Sequence, residues 1–73
     1  MKKSDLKNGY IVKERITNEN YIVKDGFTID LDFKRRTDLR ILDENLTYSG
    51  TGKPIFSKVW DHDFNLIYDG EEA

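Results

Sequence analysis

Apolar and polar residues alternate along several short stretches of the chain, a pattern typical of strands that bury one face. The clearest case is the strand predicted over residues 27–34, where polar residues alternate with Phe27, Ile29, Leu31 and Phe33. At helical spacing these four side chains would spread around the axis and bury nothing coherent. We therefore predict that all four face the interior together from one extended segment.

Two further strands precede this one. The first is predicted over residues 10–16, after an Asn8-Gly9 turn, with Tyr10 and Val12 pointing inward and the position of Ile11 ambiguous. The residues of this strand expected in solvent are Lys13 and Arg15.

The second strand is predicted over residues 21–24, after a polar hairpin loop at residues 17–20. Val23 should share the inward face with Tyr21. Asp25-Gly26 then predicts a two-residue hairpin turn into the third strand.

The remaining chain contains less regular patterns. Residues 34–38 are expected to form a polar turn, residues 39–42 a short strand, and residues 43–46 a helical or 3₁₀ turn. A short helix is the alternative for residues 39–46, because Leu39, Leu42 and Leu46 fall on one helical face. An exposed loop at 48–54 precedes the last two strands, predicted over 55–60 and 64–68.

About five short antiparallel strands and one short helical turn in so small a chain predict an all-β fold, closed as an SH3-like barrel. The competing architecture is a flat meander that buries one face against a second copy. We expect one domain over residues 1–73, with residues 1–4 and 70–73 frayed.

Composition narrows the function further. The 73 residues include no cysteine, so stability must come from the core, from a partner chain or from both. The net charge of −2 weighs against a general nucleic-acid binder. Without a long apolar run we expect no membrane contact and a cytoplasmic location.

Candidate catalytic and ligand-binding groups are sparse. His62, the single histidine, is flanked by Asp61 and Asp63 on an expected turn and is interpreted as solvated. The spacing of the aspartates at 30, 32, 61 and 63 does not predict a metal site. Thr51-Gly52-Lys53 lacks the rest of a phosphate loop and does not predict a phosphate site. We expect no enzyme activity, no metal, no cofactor and no small-molecule substrate.

Two surfaces remain as candidates. Trp60 either is the centre of the core, which so short a chain favours, or is exposed and anchors an interface. The candidate protein-binding residues are Trp60, Phe56 and Tyr48. The alternative is nucleic-acid binding through a basic turn with tyrosines as stacking surfaces, using Lys34, Arg35, Arg36, Arg40, Tyr10 and Tyr21.

Four segments carry a resemblance to a known group: Asp5-Leu6-Lys7-Asn8-Gly9-Tyr10-Ile11-Val12, Tyr21-Ile22-Val23, Leu42-Asp43-Glu44-Asn45-Leu46-Thr47 and Lys58-Val59-Trp60-Asp61. The chain resembles short uncharacterised proteins of phages and prophages of Gram-positive bacteria. The resemblance implies an SH3-like barrel of phage origin with no established activity. Taken with the residue patterns, it favours a non-enzymatic protein-interaction module that binds a host or phage protein, or itself as a homo-oligomer.

Overall fold

The computed structural model describes residues 1–32, 35–48 and 50–70 and shows one open sheet of six antiparallel strands. The spatial order is β4-β3-β2-β1-β5-β6, with β4 and β6 at the edges. The strands are β1 (Ile11–Glu14), β2 (Asn20–Lys24), β3 (Phe27–Asp30), β4 (Arg36–Asp38), β5 (Phe56–Trp60) and β6 (Leu66–Asp69). Short 3₁₀ turns are formed by Lys3–Asp5 and Leu39–Ile41. The predicted all-β class is confirmed.

Tight turns fix the register of the first three strands. Asp25 and Gly26 both have positive φ, 52° and 84°, as the hairpin turn predicted from the sequence requires. Gly9 has a φ of 89°, and its N–H donates to the carbonyl of Val23, so the turn before β1 is also tied to β2.

The core lies between one face of the sheet, here called the inner face, and the segment that connects β4 to β5. Val12 on β1 and Val59 on β5 have no exposed surface, and Val23 on β2 lies beside them. The connecting segment contributes Leu39 and Leu46. The inward positions predicted for Val12 and Val23 are therefore confirmed.

The predicted orientation of β3 is wrong. Thr28 is only 3% exposed and lies opposite Val23, so Thr28 faces the core and Phe27 and Ile29 lie on the other face. The two-residue turn explains this, because it pairs Lys24 with Phe27 and therefore Val23 with Thr28.

The end of β3 also differs from the prediction. The strand stops at Asp30 rather than at residue 34, and Leu31, in the following turn, is 60% exposed. The predicted inward position of Phe33 lies outside the described residues.

The segment after β3 differs in two ways from the prediction. Residues 36–38 form a strand rather than a turn, and residues 39–41 form a 3₁₀ turn rather than a strand. The Asp38 carboxylate caps that turn by accepting from the Arg40 N–H at 2.9 Å, while Leu39 enters the core. The turn expected over Asp43–Leu46 is present, with Leu46 N–H donating to the Asp43 carbonyl.

Arg15, expected in solvent, instead connects three parts of the chain. Its Nε donates to the Pro54 carbonyl at 2.8 Å, and its Nη2 donates to the Gly70 carbonyl at 3.1 Å. Both ends of the described chain are anchored, because Lys3 N–H donates to the Glu44 carbonyl and Gly70 N–H to the Ser57 carbonyl. The expected fraying of residues 71–73 lies outside the described residues.

Candidate protein-interaction surface

An uninterrupted row of apolar side chains crosses the face of the sheet opposite the core, here called the outer face. Ile22 lies opposite both Ile11 and Ile29, and Ile11 lies opposite Trp60. Trp60 lies opposite Leu66, because a bulge between Val59 and Trp60 shifts the pairing of β5 with β6. Directly opposite residues in antiparallel strands project from the same face. We call this set the apolar row; in spatial order it consists of Ile29, Ile22, Ile11, Trp60 and Leu66.

The apolar row is accessible. Leu66 is 49% exposed, and the other members of the row are half-buried rather than buried. Contiguous exposed apolar surface on a small protein is a common feature of interaction sites, so the row is a candidate for one. The row is therefore the feature of the described chain best suited to bind another protein.

Charged and aromatic residues border the row. At its β3 end Arg36 lies opposite Ile29, and the Arg36 guanidinium sits 4.7 Å from the centre of the Phe27 ring. Along one side Lys13 lies opposite Asn20 and Lys58. An apolar centre with a polar border is the usual anatomy of a protein interface.

Phe64 lies beside the middle of the row, next to Ile11 and Trp60. It lines a shallow depression together with Ile11, Asn20 and Trp60, yet it is 72% exposed. Its φ of 65° is rare for a bulky residue and costs conformational energy. The exposed ring and the strained backbone make Phe64 a candidate member of the same surface.

The turn that holds Phe64 is built on one carboxylate. Asp61 Oδ1 accepts from the N–H groups of Asp63 and Asn65, both at 2.9 Å. These backbone hydrogen bonds, the Asn65 bond first, lower the pKa of Asp61 below its ordinary value. The Asp61 carboxylate is thus committed to the turn, which leaves Phe64 in a fixed position beside Trp60.

The three residues proposed for protein binding are placed differently. Trp60 belongs to the outer face, so the reading of Trp60 as the centre of the core is wrong. Phe56 is only 5% exposed and belongs to the core, because a bulge next to Lys13 shifts the pairing of β5 and brings Phe56 opposite Glu14. Phe56 is therefore not a surface residue.

Tyr48 lies away from the apolar row, beside the end of β1. Its hydroxyl donates to the Glu14 carboxylate. Burial and this hydrogen bond raise the pKa of Tyr48 to about 12. The structure therefore gives Tyr48 a partner within the chain and separates it from Trp60.

The residues of the nucleic-acid alternative are not brought onto one surface. Tyr21 lies opposite Val12 on the inner face, and Tyr10, which packs against the core, is stacked on His62 with ring centres 6.4 Å apart. Arg36 is on the outer face.

The other cations of that set are engaged in separate pairs or cannot be placed. Arg35 lies 3.9 Å from Glu19 and Arg40 lies 2.7 Å from Asp38. Lys34 lies outside the described residues. The basic residues and the tyrosines thus do not form a continuous stacking groove in the part of the chain that the structure describes.

Within residues 1–32, 35–48 and 50–70, no three His, Asp or Glu side chains are grouped so as to hold a metal ion. None of the helical segments among these residues is long and apolar enough to cross a membrane. Comparisons of the chain with family models, curated proteins and solved structures found no match.

Four members of the apolar row, Ile11, Ile22, Ile29 and Leu66, were not among the candidate site residues, and neither was Phe64. The outward positions of Ile22 and Ile29 could have been predicted from the two-residue turn at Asp25-Gly26. With Val23 facing inward, this turn places both isoleucines on the other face. Nothing in the local pattern indicates the positive φ of Phe64.

Proposed function

We propose that the chain is a non-enzymatic protein-interaction module, of the phage or prophage type that its sequence resembles, and that it binds through the outer face of its sheet. The observation that carries this proposal is the apolar row, in which five large apolar side chains lie side by side across the outer face and remain partly exposed. The exposed ring of Phe64 adds to the same surface.

Energetic considerations support the outer face as a binding site. Aromatic and aliphatic anchors in the centre of a patch carry most of the energy of a typical interface, and Trp is the residue most enriched among them. Trp60 lies within the row, between Ile11 and Leu66. Arg36, at the border, offers a second residue type that is enriched at interfaces.

A charge in the row tests the proposal. We expect Ile22→Lys to abolish binding, because a lysine in the middle of the row would have to be desolvated. Ile41→Lys is the matched control, since Ile41 is 76% exposed and belongs to no strand. Leu66→Lys is a second variant, at the edge of the sheet, where a charge is easily tolerated by the fold.

The measurement combines light scattering of the pure protein with capture of partners on the immobilised protein from a bacterial lysate. We expect the wild type either to self-associate or to capture a protein. Ile22→Lys and Leu66→Lys should lose this binding and Ile41→Lys should keep it, while all three variants keep the circular dichroism of the wild type. A strict monomer that retains nothing, or binding that both row variants preserve, would refute the proposal.

A further inference from the structure

We propose that the partner of the outer face is a second copy of this chain, packed outer face to outer face about a two-fold axis parallel to the strands. This inference rests on the proposed function, because it names the occupant of the same apolar row. The centre of the six-stranded sheet lies between β2 and β1, where Ile22 lies opposite Ile11. A two-fold axis through that point lays Ile22 of one copy over Ile11 of the other and Ile29 over Trp60, so that apolar side chains meet apolar side chains.

The ends of the row determine which two-fold axis fits. An axis parallel to the strands lays β4 over β6 of the second copy, which brings Arg36 to the edge that carries Leu66 and Asp69. An axis perpendicular to the strands would instead lay Arg36 over Arg36 of the second copy. The first arrangement is favoured because it keeps the two Arg36 side chains apart, and like charges placed face to face are repelled.

The polar border of the row fits the same axis. Asn20, Lys13, Lys58 and Asp69 are directly opposite one another on successive strands and form the neighbouring row. The parallel axis lays Lys13 over Asn20 rather than over another lysine. It lays Lys58 over the end of β3, where Leu31 is 60% exposed and can pack against the aliphatic part of the lysine side chain.

The size of the face sets the expected strength. Six strands spaced about 4.8 Å apart span about 24 Å, and four residues along a strand span about 14 Å. Two such faces bury on the order of 700 Å², below the roughly 1,200 Å² at which stable specific interfaces begin and in the range of weak, transient ones. We therefore expect a weak dimer, with a dissociation constant on the order of 10 μM to 1 mM.

Sedimentation equilibrium tests the association itself. Over protein concentrations from about 10 μM to about 2 mM, which bracket that range, we expect the mass to rise from that of the 8.6 kDa chain toward twice that value. Ile22→Lys should weaken the dimer about 100-fold or more, because each dimer contains the change twice at its centre. Ile41→Lys should change the dissociation constant less than about twofold, because it lies off the face.

A distance between two spin labels tests the axis. The sequence has no cysteine, so Arg35→Cys introduces a single attachment point next to β4. With strand spacings of about 4.8 Å and a separation of about 10 Å between packed sheets, the parallel axis predicts about 26 Å between the two labels. The perpendicular axis predicts about 10 Å, the separation of the sheets alone.

The outcomes separate the two proposals. A monomer at every concentration would overturn self-association, and capture from the lysate would then decide the proposed function alone. A dimer that keeps its affinity in both Ile22→Lys and Leu66→Lys would overturn the use of the outer face, for example in favour of pairing between β6 edges. A label separation of about 10 Å, the sheet spacing, would overturn the proposed axis.

Discussion

Val12 on β1 and Val59 on β5 lie directly opposite each other, and neither side chain has any exposed surface. This pair forms the centre of a core with only six buried hydrophobic residues among those described. In so small a core each methyl group accounts for a large part of the stability, since a domain of this length is stabilised by only about 4–11 kcal/mol.

We expect Val59→Ala to lower the free energy of unfolding by about 2–3 kcal/mol, through lost burial and the cavity that remains. Ile16→Ala, at a side chain that is 72% exposed, should change it by less than about 0.5 kcal/mol. Urea unfolding followed by circular dichroism measures both. Equal effects of the two variants would contradict the assignment of the core.

Arg15 connects the end of β1 to two distant carbonyls, those of Pro54 and Gly70. Arg15→Lys keeps the charge but cannot direct two donors in this planar fork, so we expect a loss of about 1–3 kcal/mol in urea unfolding. Arg35→Lys is the matched control, because the Arg35 side chain is 71% exposed and its ion pair with Glu19 is long. An Arg15→Lys variant with an unchanged free energy of unfolding would show that these hydrogen bonds do not contribute to stability.

Glu14 makes stability depend on pH. Partial burial raises the pKa of Glu14, but hydrogen bonds from Tyr48 and Thr17 outweigh it and lower the pKa below 4.5. Because the folded-state pKa is below that of the unfolded chain, Glu14 stabilises the fold above pH 4.5 and loses this contribution as the pH falls through the folded-state pKa.

We expect Tyr48→Phe to lower the free energy of unfolding by about 1 kcal/mol at neutral pH, and this difference should shrink on acidification as Glu14 is protonated. Urea unfolding over a series of pH values from about 3 to about 7 measures it, and NMR titration of Glu14 should show a higher pKa in the variant. On the basic side Tyr48, whose pKa is raised from 10.0 to about 12, stabilises the fold below pH 10 and loses this contribution as the pH rises toward 12. A difference between wild type and variant that is independent of pH would contradict the Glu14–Tyr48 bond.

Phe64 allows binding to be separated from folding. Phe64→Gly relieves the positive φ while losing a ring that is 72% exposed, so we expect the free energy of unfolding to change by less than about 1 kcal/mol. Self-association or capture of a partner should nevertheless weaken. Asn18→Gly, at a φ of 60° in another turn, is the control for the backbone effect. A strongly destabilised Phe64→Gly would show that the ring serves the fold instead.

The sequence predicts the strand class, the turns at Gly9 and Asp25-Gly26, and the inward valines because each depends on neighbouring residues alone. The orientation of β3 could not be read from β3 alone, since an alternation shows that two faces differ and not which of them is covered. The four alternating apolar residues of the strand predicted over 27–34 suggested the core, yet pairing with Val23 places Thr28 inward. Reading the hairpin as one unit would have corrected this orientation.

Of the residues in the apolar row, only Trp60 was predicted from the sequence as a binding residue. Phe56 and Trp60 are four residues apart and were assigned to one face, but the bulge beside Lys13 changes the pairing and sends them to opposite sides. A bulge depends on contacts between distant segments, as does the course of the chain around Phe64. Such non-local features, rather than residue preferences, decide which apolar side chains remain at the surface.

Apolar side chains on both faces of the sheet have a consequence for how the chain avoids misfolding. In most half-exposed sheets a slip of one residue between strands is prevented because it would bring polar groups into the core. Here a one-residue slip of β3 would place Phe27 and Ile29 in the core instead of Thr28. Burying these apolar side chains carries no desolvation cost, so burial alone does not oppose the slip. The Asp25-Gly26 turn must therefore set the register of β2 and β3. Replacing either residue of this small exposed turn should produce kinetically trapped, mispaired species more readily than most substitutions in the core.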